Sequence, residues 1–197
     1  MTRSLTDTKS ALRKDILAKR NQLEESHRIE MSLQAAEFGL QAPAFDPRHM
    51  PPGAVVSGFL PIRSEIDPRP LLAELVTLGA RLCLPVVTSK TDLQFREMVR
   101  GAPLVESAFG TFGPDEKAAV LDPEILLMPL SVFDKRGGRI GYGGGFYDRA
   151  IEKLLAKGID VQLLGMGFSM QEADEVPMEK HDQFLHGIIT ELEFRRF

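Results

Sequence analysis

Six of the nine residues from Gly137 to Gly145 are glycine, and no other stretch restricts the possible folds of this chain as strongly. Ordering a glycine removes more backbone freedom than ordering any other residue, so such density needs a use. The flanks give it a context. Ile125 to Leu130 is a short apolar run that reads as a buried strand, and Asp134, Lys135 and Arg136 form a polar turn. Beyond the glycines, apolar residues at Tyr147, Ala150, Ile151, Leu154 and Leu155 trace one face of an amphipathic helix. Gly158 is placed to end that helix in a left-handed cap.

A bare backbone leading into a helix start suits an anion, because free N–H groups and the helix dipole both favour negative charge. Arg139 adds a forked donor that matches phosphate oxygens. Asp148, just inside the helix, repels an anion unless a cation lies between them, and magnesium on nucleotide phosphates is held in that way. Arginine, glycine loop and carboxylate together suggest a magnesium–nucleotide site. The plainer alternative is a flexible hairpin tip and a surface helix, with Asp148 stabilising the N-terminus. Neither common phosphate-loop signature is present: Phe146 takes the third glycine's place in G-x-G-x-x-G, and no G-K-[ST] follows.

The rest of the chain reads as alternating helices and strands. Thr8 to Glu25 forms a first helix capped by Asp7 or Thr8, with Leu12, Ile16 and Leu23 facing the core. On it Lys9 and Arg13 share one face, ordinarily a solvated one. A second helix covers Ser26 to Leu40, Ala54 to Leu60 is a strand, and Pro68 to Leu78 is a helix stopped by Gly79. Glu65 and Asp67 follow that strand's carboxyl end, where ligands of α/β sheets bind, although either acid also serves as a helix cap. Arg81 to Val87 and Leu93 to Val99 pair as strands, residues 101 to 124 are mostly loop, and Val161 to Phe168 is a further buried strand. The expected fold is one α/β domain over 1–197, of three Rossmann-like layers. Its sheet is mostly parallel, with a mixed edge at 81–99, and helices cover both faces.

A net charge of −4 argues against a nucleic-acid binder that relies on bulk charge. The start of the chain lacks an apolar signal region and no run reaches membrane length, so a cytoplasmic protein is expected. Cys83, the lone cysteine, reads as a small buried hydrophobe. His181 and His186 are five apart, unsuited to an i, i+4 zinc pair, and are read as structural.

The run MPLSVFDKRGGRIGYGGGFYDR resembles the signature of the 5-formyltetrahydrofolate cyclo-ligase family, matching at Pro129, Phe133, Asp134, Gly138, Arg139, Gly141, Gly143, Gly145, Tyr147, Asp148 and Arg149. It departs at Ile140 and at Phe146, where the family usually has leucine and tyrosine. FGTFGPDE (109–116) and the tail from Gln171 to Glu191 are similar to further family segments, so the likeness runs from Lys9 to Glu191. It implies ATP- and Mg²⁺-dependent conversion of 5-formyltetrahydrofolate to 5,10-methenyltetrahydrofolate, with ADP and phosphate released. Carried over residue by residue, it places Lys9, Arg13, Arg139, Gly141, Gly143, Gly144, Gly145 and Tyr147 at ATP, and Asp148 and Asp182 at magnesium. Leu60, Glu65, Tyr142 and Phe146 fall at the folate, with Arg139 and Tyr142 nearest the chemistry. The implied partners are small molecules only, with neither nucleic acid nor membrane, and the implied state is a monomer. Two other classes stay open: a kinase or ligase using the same loop on another acceptor, and a binding protein that has lost turnover.

Overall fold

The computed structural model describes residues 4–106 and 111–197. Seven strands form one mixed sheet. Its parallel centre consists of β1 (Val55–Ser57), β2 (Arg81–Val87), β6 (Ile125–Pro129), β9 (Gln162–Met166) and β10 (Gly187–Ile189). β3 (Leu93–Glu97) and β11 (Phe194–Arg196) close the two edges antiparallel, giving the order β11-β10-β9-β6-β1-β2-β3. Two small ribbons lie outside it: β4 (Leu104–Glu106) with β5 (Phe112–Pro114), and β7 (Val132–Phe133) with β8 (Arg139–Ile140).

Burial on both faces explains why the central strands read as continuous apolar runs. In β6, Ile125 and Leu127 point to one face, where they meet α2 (Glu25–Gly39) and α3 (Arg69–Thr77) through Met31, Ala35, Leu71 and Leu75. Leu126 and Met128 point to the other, against Ala150, Ile151 and Leu154 of α4 (Phe146–Ala156). Those two layers and the sheet are the three expected. α1 (Leu5–Arg20) instead rests Ile16 on Val132, Ile140 and Val176, beside the glycine-rich hairpin.

Several boundaries differ from the sequence reading. α1 starts at Leu5 because Ser4 Oγ accepts from the Asp7 amide at 3.1 Å, so the cap lies upstream of Asp7 and Thr8; the helix ends at Arg20. The strand from Ala54 shortens to Val55–Ser57. Gly58 N–H still reaches the Cys83 carbonyl at 3.0 Å, but Pro61 has no amide to continue a ladder. The loop expected at 101–124 contains the β4–β5 ribbon, while Phe109 and Gly110 of its family-like segment lie outside the described residues. β11 was not foreseen. It is a short edge strand with two arginines, which is how natural sheets protect an edge. No helix among the described residues is long and apolar enough to cross a membrane.

Candidate active site

The carboxyl ends of neighbouring strands β1 and β6 open onto two loops, the position where α/β sheets receive ligands. After β6 the chain turns through β7 and β8 before entering the glycines. Asp134 holds that turn: its fully buried carboxylate accepts the amides of Arg136, Gly138 and Val176 at 2.8–2.9 Å and pairs with the Arg136 guanidinium. Burial works against the charge, but these donors outweigh it and hold the carboxyl below the usual range. Gly143 (φ 97°) and Gly145 (φ 62°) take left-handed conformations that side chains rarely adopt. Gly145 forms the N-cap of α4, and no side chain makes a capping hydrogen bond there.

α1 brings cations to this loop. Arg13 Nε donates to the Gly141 carbonyl at 2.7 Å, and its guanidinium lies against Gly143. Lys9 Nζ pairs with Asp182 and, at 2.9 Å, with Glu179. Burial alone would lower the Lys9 pKa; the two carboxylates overcome it and raise it. Asp182 is shifted down, its desolvation outweighed by Lys9 and the Glu179 amide. Arg139 Nη2 donates to Asp148 Oδ1 at 2.7 Å, and the same oxygen accepts from Gln183 N at 3.2 Å. The two expected metal-binding aspartates are thus brought to one connection, since Gln183 adjoins Asp182, and each is paired with a cation. Among the described residues, Glu179, His181 and Asp182 also place one ligand atom each within 4.8 Å of one another; Asp148 stands outside that trio.

The second loop, after β1, carries Leu60, which is partly buried, and Glu65, which is buried. Glu65 Oε2 accepts from the Ile62 amide at 2.8 Å, and Arg63 between them takes a left-handed φ of 56°. Burial raises the Glu65 pKa, partly opposed by Ile62, Tyr142, Arg20 and Arg63. Tyr142, 39% exposed, reaches over from the glycine loop. Burial and the nearby Glu65 push its phenol up to about 12. Phe146 has the Arg149 guanidinium stacked 5.2 Å from its ring centre, and Arg149 in turn ties to the carbonyls of Gly144 and Thr91.

Four buried side-chain polar atoms among the described residues lack a hydrogen-bond partner, and three belong here: Glu65 Oε1, Arg139 Nε and Tyr147 Oη. Native interiors rarely leave such groups unpaired, so their concentration makes this end of the sheet the candidate ligand site. A concavity of about 1010 Å³ lies elsewhere, at the strands' amino ends around Val55, Ile125 and Gln162. It touches none of these groups, and chemistry outranks size in locating the site. Sequence reasoning missed Arg20, Ser64, Glu179 and the buried role of Asp134. Arg20 did leave a signal, because positions 9, 13, 16 and 20 fall on one helical stripe.

Fold and site together define a class: an α/β protein built on one seven-stranded sheet, with a glycine loop that meets a helix-borne row of cations. The profile of the 5-formyltetrahydrofolate cyclo-ligase family matches residues 5–191, and the chain belongs to that family. Similar curated relatives include the 5-formyltetrahydrofolate cyclo-ligase of Escherichia coli K12, 29% identical over 89% of this chain and 96% of the relative. That of Mycolicibacterium smegmatis is 30% identical over 70% and 74%. Among solved structures, the NMR structure of Aquifex aeolicus 5,10-methenyltetrahydrofolate synthetase superimposes with a TM-score of 0.77 at 28% identity, over 95% of this chain and 92% of that one. A Mycoplasma pneumoniae 5,10-methenyltetrahydrofolate synthetase has the same fold (TM-score 0.73, 22% identity, 93% and 98% covered). By family, then, the chain is a ligase of folate one-carbon metabolism, a family that uses ATP.

Proposed function

We propose that this end of the sheet binds Mg·ATP and 5-formyltetrahydrofolate side by side, and that ring closure proceeds through a phosphorylated formyl oxygen. The observation that carries the reading is the meeting of three groups: the α1 cations, the open glycine loop and the Glu65 loop with its unpaired Oε1. Gly141, Gly143, Gly144 and Gly145 wrap the phosphates with backbone amides, and Lys9, Arg13 and Arg139 balance their charge. Tyr147 offers its unpaired hydroxyl to the nucleotide. Leu60 and Phe146 pack the folate, while Glu65 accepts N–H donors from its pterin ring.

Formamide resonance makes the formyl carbon a poor electrophile. The formyl oxygen attacks the γ-phosphorus as the bond to the β,γ-bridging oxygen breaks, releasing ADP. Substrate N10 then attacks the activated carbon and loses its proton, and phosphate departs with the former formyl oxygen. The protein's part is alignment, charge balance and water exclusion, with Arg139 and Tyr142 nearest the transferred group. The donor set fits magnesium: Asp148, in the first turn of α4, and Asp182, on the connection that α4 meets through Gln183, are hard oxygen ligands, each already paired with a cation. Those two carboxylates would hold Mg²⁺, which supplies positive charge to the phosphate oxygens when bound. Lys9 and Arg139 would then exchange carboxylate partners for phosphate.

The whole chain, 1–197, works as one cyclo-ligase domain, a monomer acting on small molecules. One sheet drawing strands from Val55 to Arg196 supports the single domain. Substrate carrying ¹⁸O in its formyl group tests the chemistry. The label is expected in inorganic phosphate; recovery in water alone contradicts the phosphorylated intermediate.

A further inference from the structure

Arg20 heads the large side chains that are fully buried, at 1% exposure, yet neither of its hydrogen bonds reaches a carboxylate. Its Nε donates to Ser64 Oγ at 3.1 Å and its Nη2 to the Tyr142 hydroxyl at 2.9 Å. The Ser64 hydroxyl donates to Asn21 Oδ1, so its oxygen is oriented to accept from the arginine. A buried guanidinium that donates to neutral oxygens, with the nearby Glu65 carboxylate to oppose its charge, is an expensive feature unless something requires it.

The two partners identify the requirement. Ser64 adjoins Glu65 in the loop after β1, and Tyr142 lies in the glycine loop after β8. No backbone hydrogen bond joins these two loops among those described, and Arg20 bridges them through side chains. It does so from the last residue of α1, whose earlier turns carry Arg13 to Gly141 and Lys9 to Asp182. The helix therefore serves the nucleotide side with its first turns and the folate side with its last.

We propose that Arg20 is a positioning residue for the folate half of the site: its forked guanidinium fixes Tyr142 of the glycine loop against the Ser64–Glu65 loop, setting the gap that 5-formyltetrahydrofolate enters. The proposal rests on the reading of the site given above. Arg20 touches no reacting atom and acts through Tyr142 and Glu65. Because a planar fork makes the bridge, one charged ammonium cannot replace it.

Calorimetric binding of 5-formyltetrahydrofolate and of Mg·ATP, measured separately on the full chain, tests this. In Arg20→Gln the folate Kd is expected to rise by about tenfold, the loss of one charge-assisted hydrogen bond, with the ATP Kd within about twofold. Arg20→Lys is expected to recover little of that loss. Combining Arg20→Gln with Tyr142→Phe should be no worse than the worse single change, because both cut the same link. Parallel loss of both ligands, full additivity, or an unchanged folate Kd overturns the proposal. Should Arg20→Gln fail to fold, Ser64→Ala decides: it keeps the charge and breaks one arm of the bridge, so folate binding alone must weaken. If the unaltered chain binds no 5-formyltetrahydrofolate, the reading of the site fails and the proposal with it. That outcome is distinct from variants that behave like the parent.

Discussion

Glu65 is the residue whose environment and task conflict most. A buried carboxylate with one oxygen lacking a hydrogen bond is costly, and burial accordingly raises its pKa above the ordinary glutamate value. A raised carboxyl pKa means that folding favours the protonated form: this group's contribution is most favourable at low pH and is lost as pH rises through the folded pKa. Ligand binding runs the opposite way, since only the carboxylate accepts two N–H donors. Glu65 is faced by Arg20 from α1, Arg63 from its own loop, Tyr142 from the glycine loop and Tyr147 from α4. Folate affinity should therefore fall on acidification at a pH above that of an exposed glutamate. Glu65→Gln should flatten that limb and weaken binding while raising the melting temperature. A variant that loses stability together with affinity would show that Glu65 is mainly structural. Little of this was legible in the sequence. Glu65 stood out by its place after a strand's carboxyl end and by resemblance, but burial is a property of the fold and an E-I-D-P run reads equally well as a helix cap.

At the scale of elements, periodicity carried the reading a long way. The i, i+3, i+4 stripe of α4, the apolar run of β6 and the glycine stops of α3 and α4 were all recoverable, since each follows from local repetition or a left-handed cap. The β7–β8 hairpin was not, because two-residue strands have no period. Its determinant is Asp134, which satisfies three backbone amides at once. Asp134→Ala should thus cost several kcal/mol, at roughly 1–3 kcal/mol per orphaned donor, and should destabilise the glycine loop with it. Denaturant unfolding measures this, and a loss under about 1 kcal/mol would mean that water replaces the carboxylate. In α1 the K-x-x-x-R spacing was visible but ambiguous, and the structure turns that face inward. Lys9→Ala and Arg13→Ala should each raise the KM for ATP by about tenfold, with the folate KM little changed. An unaltered ATP constant in both would return the pair to a purely structural role.

Across the whole molecule, topology assembles what sequence separation hides. Residues 9 and 182 meet as an ion pair, and residues 20, 64 and 142 share one hydrogen-bonded chain, because the loops after parallel β1 and β6 leave the same edge of the sheet and α1 bonds to both. The convergence of Asp148 and Asp182 leads to a metal prediction. Asp148→Asn and Asp182→Asn should each require more Mg²⁺ for half-maximal activity, and the double variant should be little worse than the worse single. Wild-type metal dependence in Asp182→Asn would leave that residue as a partner of Lys9 alone. The central claim is that this fold couples ATP to closure of the folate ring, and one assay meets it directly. Purified protein is mixed with 5-formyltetrahydrofolate, and the near-ultraviolet absorbance of 5,10-methenyltetrahydrofolate is followed with and without ATP and Mg²⁺. Product is expected only when both are present, with one ADP released per ring closed; an equal rate of product formation without ATP would contradict the account.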